Sequence, residues 1–156
     1  MIDIEDIAAA FEKTKADWNQ FLNTKTGEIV AVSDKIRLNS DDENVIEEIE
    51  KNNDYVMLPD QYELDEWYIM EDFAESLEDK DLRHTLIGML NKRIQIKSLK
   101  NEMKLLGITR DYRLFKKNEF LKKAVEWCLE HDIEYSCQST DVEALCQEYK
   151  EQYGSE

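Results

Sequence analysis

Apolar positions recur at helical spacing through most of this chain, and short runs of the β-forming kind interrupt them only before residue 60 and near residue 135. Behind Asp3, whose side chain suits a helix N-cap, Ile4, Ile7, Ala8 and Phe11 mark a first helix expected to end near Lys15. Trp18 to Leu22 and Glu28 to Val32 then read as two strands, separated by Asn23-Thr24-Lys25-Thr26-Gly27. Asn opening a turn that closes on Gly fits a type I turn with Gly in the left-handed region, so a hairpin is expected. Ser40-Asp41-Asp42-Glu43 has the capping-box pattern and precedes a narrow stripe of Val45, Ile46 and Ile49, a short helix. Tyr55-Val56-Met57-Leu58 closes on Pro59, the only proline. Proline has no ladder donor and holds its predecessor extended, which makes this a third strand at its end.

Past that joint the pattern is helical. Ile69, Met70, Phe73 and Leu77 share an arc of about 100° at 3.6 residues per turn, one apolar face. Asp79 opens a helix carrying Leu82, Leu86 and Leu90, and Ile96, Leu99, Met103 and Leu106 form another stripe stopped by Gly107. Thr109 begins the longest helix, expected to reach about His131. Its Leu114, Leu121, Val125 and Cys128 face is expected in the main core, with Phe120, Ala124 and Trp127 nearly opposite. A helix apolar on two sides is either sandwiched or offers its second side to a partner. Ile133-Glu134-Tyr135 reads as a short extended piece. Thr140 to Glu143 repeats the capping box before a last helix that turns Val142, Leu145, Tyr149 and Tyr153 inward. The expected fold is therefore α+β and mostly helical, with a small antiparallel sheet, a hairpin plus one strand, packed by helices. Residues 1–135 are expected to form one domain and 136–156 a helical extension packed on it.

Several of these pieces, in this order, resemble Uncharacterised Protein Family 0158, a group of small bacterial proteins. They are Thr26-Gly27-Glu28-Ile29-Val30, Leu58-Pro59 followed by Tyr68-Ile69-Met70-Glu71-Asp72-Phe73, Leu106-Gly107-Ile108, then Tyr112, Phe115, Ala124, Trp127-Cys128 and Ile133-Glu134-Tyr135. The resemblance covers about residues 1–135. This chain departs from it at Asn91 to Lys97, where the family tends to have a Gly-containing basic stretch, and at Asp132, where it has Gly. What the resemblance implies is a bacterial cytoplasmic protein with no assigned activity and no catalytic residues to carry over.

Charge adds a second layer. The formal net charge of -16 is uneven: residues 1–80 hold 23 acids and 7 bases, residues 81–126 hold 5 and 12, and residues 127–156 hold 8 and 1. A strong negative excess repels phosphate backbones and steers basic partners in. No binding to mixed-sequence DNA or RNA at physiological salt is expected.

Candidate chemistry is sparse. Gly27, Gly88, Gly107 and Gly154 are scattered, so no phosphate-cradling glycine loop exists. The longest uninterrupted apolar run, Ile7 to Phe11, is far short of the roughly 20 residues a membrane helix needs, and no charged-then-apolar leader opens the chain. A cytoplasmic location and no membrane partner are expected. Cys128, Cys137 and Cys146 are odd in number and widely spaced, which points to reduced thiols without metal. With His131 or His84 they would make a metal set only without the paired Cys-x-x-Cys knuckle of structural zinc sites, and no cofactor is expected. Adjacent Glu71 and Asp72 splay apart on a helix, and the acids from Asp65 to Asp79 read as a solvated face.

Surface features carry the functional expectation. Tyr68 lies off the apolar arc of its helix, which fits either an interface anchor or a ring packed against the hairpin. Arg93, Lys97, Lys100 and Lys104 step by four, three and four residues along one helix, a cationic stripe. Such a stripe either binds phosphates or an acidic partner or is a face solvated or paired internally with the acidic first half. Phe120 and Trp127 are the second-face rings of the long helix. Together these residues point to a non-enzymatic, cytoplasmic protein-binding module whose partner has a basic or mixed-charge surface. Two alternatives stand beside it: an acidic nucleic-acid mimic that uses residues 41–79 against a basic target such as a nuclease or toxin, and nucleic-acid binding through the cationic stripe.

Overall fold

The local signals do form elements, and among residues 2–33 and 40–154, which this computed structural model describes, they assemble into a mostly helical α+β fold. The chain divides into two compact units, Met1–Leu64 with Phe120–Glu156, and Asp65–Glu119. The joint after Pro59 is thus also a unit boundary, whereas residues 136–156 belong with the N-terminal segment.

The first unit holds β1 (Ile2–Asp3), α1 (Ile4–Glu12), β2 (Trp18–Asn23), β3 (Ile29–Ser33), α2 (Ser40–Lys51), β4 (Tyr55–Met57), β5 (Tyr135–Ser136) and α7 (Thr140–Gly154). The side chain of Asp3 caps α1, accepting from the Glu5 amide at 2.9 Å, and Ile4, Ile7, Ala8 and Phe11 are buried as their spacing requires. The antiparallel sheet has the order β3-β2-β4, with Phe21 opposite both Val30 and Met57. Its hairpin turn is built by Asn23, whose side chain accepts from the Lys25 and Thr26 amides at 3.0 and 3.1 Å while Gly27 takes φ 79°. β1 pairs in parallel with β5, Ile2 opposite Tyr135. Two residues carry no periodicity, so β1 leaves no signal in the sequence. The capping box expected at Ser40 to Glu43, and Val45 behind it, lie outside the described side chains.

The second unit holds α3 (Glu66–Ser76), α4 (Lys80–Asn91), α5 (Ile96–Leu105) and residues 109–119 of α6 (Thr109–Glu130). Asp65 and Asp79 cap α3 and α4. Ile69, Met70, Phe73, Leu86, Leu90, Leu99, Met103 and Tyr112 are buried. Phe73 meets the Tyr112 ring at 5.3 Å and the Phe115 ring at 5.4 Å between centroids.

Three expectations change. Leu114 is 61 % exposed, because the apolar seam of this part of α6 runs through Tyr112 and Phe115 toward Phe73. The cap of α7 is Ser139, whose hydroxyl accepts from the Val142 amide at 3.1 Å, one residue before the expected Thr140. Along α7 the side chain buried deepest is Cys146, while Val142, Leu145 and Tyr149 are half-buried and Tyr153 lies at the surface. Cys146 follows Val142 by four residues and precedes Tyr149 by three, so the buried face is centred on the thiol.

Helices α4, α5 and α6 end alike. Each closes with paired turn bonds, Ile94 N–H to Met89 O and Arg93 N–H to Leu90 O, Ile108 to Met103 and Gly107 to Lys104, Ile133 to Cys128 and Asp132 to Leu129. This Schellman closure needs a left-handed residue after the cap, and Arg93, Gly107 and Asp132 sit at φ 53°, 73° and 54°. Gly is the residue without a steric penalty there. Arg93→Gly is expected to raise stability by about 0.5–1 kcal/mol, Asp132→Gly by less because Asp tolerates this region, and Gly107→Ala to cost about 1 kcal/mol. Urea midpoints of the three variants check this; a lower midpoint for Arg93→Gly would contradict the strain account.

Candidate functional site

Helix α3 is the element around which a surface site forms. Its cap Asp65 accepts from the Trp67 amide at 2.9 Å, which sets the helical phase. Ile69, Met70, Phe73 and Ala74 turn inward, and Tyr68, Glu71 and Glu75 fall at i, i+3 and i+7 on the exposed side. These three, with Trp67, Asp65 and Arg93 and a floor of Ile87 and Leu90, line a groove of about 570 Å³. Tyr68 is 66 % exposed, so it is a surface ring. Asp65, Glu71 and Glu75 outnumber the one lining cation, Arg93. Aromatic faces beside carboxylates favour a cationic side chain, through the ring quadrupole and through charge.

The cationic stripe does not hold together. Arg93 is not on α5 but in the left-handed turn that ends α4, which takes it off the line of Lys97, Lys100 and Lys104 and into the groove beside Tyr68. Lys100 is engaged with Glu66, at 3.0 Å from its Oε1. The same oxygen receives Lys116 Nζ at 2.9 Å and the Tyr112 hydroxyl at 2.8 Å. Burial alone would push the Glu66 carboxyl up, yet the hydrogen bonds from Lys116, Lys100 and Tyr112 outweigh it and hold the pKa below the ordinary carboxylate value. Burial, with the Glu66 charge beside it, pushes the Tyr112 phenol well above its ordinary value. This three-donor cluster joins residues 34 to 50 apart in sequence, and only the fold brings them together. Lys97 and Lys104 remain exposed on α5.

Phe120 and Trp127 are not docking anchors. They are 3 % and 5 % exposed, each covered by this chain itself. The Trp127 ring stands edge-on to Phe11, at 6.4 Å and 87°, and lies over His131 at 4.8 Å. His131 in turn places its Nδ1 2.9 Å from the Trp127 carbonyl oxygen, at the end of α6. Among the described residues, no group of three His, Cys, Asp or Glu side chains could hold a metal ion, and no helix is long and apolar enough to cross a membrane.

The structure gathers one set of residues that spacing alone kept apart. Cys128, Cys137 and Cys146, all free, line a single groove of about 730 Å³ in the first unit, with Tyr135 among them. Burial pushes the Cys128 thiol up to about 12, and burial together with a hydrogen bond to Cys137 does the same for Cys146. Tyr135 is likewise pushed up to about 12, first by burial. Each cysteine is nine residues from the next, a spacing that means nothing on a single helix or strand. It acquires meaning only because α6, β5 and α7 succeed one another around one groove.

Charge divides by unit more cleanly than by segment. The second unit holds 11 acids and 11 bases, so the whole net charge of -16 falls on the first unit with its 25 acids and 9 bases. Comparison with protein families, with curated proteins and with solved structures finds no match for this chain.

Proposed function

We propose that this protein is a non-enzymatic cytoplasmic binding module that receives a basic or mixed-charge segment of a protein partner in the groove beside α3. The observation that carries this reading is the exposed Tyr68 ring standing in one line with Glu71 and Glu75 over an apolar floor. A Lys or Arg side chain would lay its methylene stem on Ile87 and Leu90 and its charge against the carboxylates and the ring. Nucleic acid is disfavoured as the occupant: Arg93 is off the stripe and Lys100 is engaged with Glu66. The resemblance to Uncharacterised Protein Family 0158 fits a small bacterial protein of this kind and is part of the proposal, as is the cytoplasmic setting. A second reading, an acidic mimic that occupies a basic cleft on a target, draws on the net charge of -16 carried by the first unit.

Fluorescence anisotropy with a labelled Lys/Arg-rich peptide tests the groove. Tyr68→Ala and the double change Glu71→Gln with Glu75→Gln are each expected to weaken binding about tenfold, which corresponds to about 1.4 kcal/mol. Added salt should weaken it further, since these charges are exposed. Equal affinity of wild type and Tyr68→Ala would place the peptide elsewhere and favour the mimic reading. A parallel electrophoretic series with duplex DNA is expected to show no retardation at physiological salt; retardation lost on changing Lys97 and Lys104 to Gln would replace the protein partner with nucleic acid.

A further inference from the structure

We propose that Cys137 and Cys146 are a modification site, a thiol pair that a hydroperoxide converts to a reversible disulfide. The inference is independent of the groove beside α3, since every residue it uses belongs to the first unit. Cys137 follows β5, Cys146 lies in the second turn of α7, and both line one groove, where Cys137 is the neighbour that acts most strongly on the Cys146 thiol. Bridging them requires the two sulfurs to reach the S–S length of about 2.05 Å across that groove. Cys128 lines the same groove from the last turns of α6 but is fully buried.

Their surroundings divide the roles. Cys137 is half-exposed in the groove and meets the oxidant first, whereas buried Cys146 keeps its proton, held by burial and by the contact with Cys137. The Cys137 sulfur attacks one oxygen of hydrogen peroxide, the O–O bond breaks, and one water leaves as Cys137 becomes a sulfenic acid. The Cys146 sulfur then attacks the Cys137 sulfur; the S–S bond forms, the S–O bond breaks, and the sulfenic oxygen departs as a second water carrying the Cys146 proton. Two thiols lose two electrons and the peroxide gains them. A small-molecule dithiol reverses the step. Because β5 is paired with β1, the new bond ties α7 to that parallel pair.

The test uses the full reduced chain treated with hydrogen peroxide, alkylated, and cleaved at glutamate. Cleavage after Glu134, Glu143 and Glu148 puts Cys137 on peptide 135–143 and Cys146 on peptide 144–148. The expected result is these two peptides joined, Cys128 alkylated, free thiols falling from three to one, and full recovery with dithiothreitol. Cys128→Ser should keep the link and Cys137→Ser should lose it. Cys137 is chosen over Cys146 because its half-exposed position tolerates Ser. A link through Cys128, sulfinic acid on Cys137 with Cys146 alkylated, or no thiol lost at peroxide levels that oxidise free cysteine would each overturn the proposal.

Discussion

Trp127→Ala is expected to lower stability by about 3–5 kcal/mol, the largest single-residue loss the structure points to. The indole is 5 % exposed, stands edge-on to Phe11 at 6.4 Å and covers the His131 ring at 4.8 Å. Truncation removes the transfer free energy of a large ring and leaves a cavity against Phe11, which is itself fully buried. Against a typical total of about 5–15 kcal/mol, such a loss is about a fifth or more of what keeps a domain folded. A ring that served only as a partner anchor would behave in the opposite way, costing little in stability and much in binding. Urea denaturation of wild type and variant separates the two, with His131→Ala as a control for the exposed side of the contact. A shift under 1 kcal/mol would contradict the burial account of Trp127.

The second large effect belongs to Glu66. Glu66→Gln is expected to cost about 1.5–3 kcal/mol, the range for hydrogen bonds to a charged group, because the variant removes the carboxylate that accepts from Lys116, which is only 22 % exposed. Lys100 is 44 % exposed and contributes less, being screened by water and salt. Tyr112→Phe should cost about 1 kcal/mol, one hydrogen bond with the ring packing on Phe73 retained. The pH dependence has a definite sign. The folded pKa of Glu66 lies below its ordinary value of 4.5, so its stabilisation is complete above that value and is lost as pH falls through the folded one. Wild type and Glu66→Gln should therefore converge in acid and differ most near neutrality. Parallel urea titrations across that range decide it, and a gap that stays constant into acid would show that Glu66 acts through packing instead of charge.

Two residues of the candidate groove, Tyr68 and Arg93, were singled out for surface roles from the sequence. Tyr68 could be placed off the apolar arc of its helix because helical phase is local, and the structure leaves it exposed. Glu71 and Glu75 were legible as acids but not as a line beside Tyr68 facing Arg93. Arg93 was misread for a physical reason: the i, i+4 step to Lys97 is meaningful only if the helix is continuous, and the left-handed turn after Asn91 breaks it. For Phe120 and Trp127 the sequence left two readings, a sandwiched face or one offered to a partner, because a helix alone cannot show what covers it.

What the sequence determined by itself was everything set within a few residues. The caps at Asp3 and Asp79, the Asn23 to Gly27 turn and the stop at Gly107 depend on local dihedrals and on hydrogen bonds spanning two to five residues, so side-chain type and spacing suffice. The fold class followed from the same signals. Tertiary structure alone decided the rest: the two-residue pairing of β1 with β5, the convergence of Lys100, Tyr112 and Lys116 on Glu66, and the gathering of Cys128, Cys137 and Cys146 around one groove. It also decided where the charge lies, concentrating all of the net -16 in a unit assembled from both ends of the chain. Each of these joins groups on separate elements, and their meeting is governed by which apolar faces pack together, a choice that no local window of residues contains.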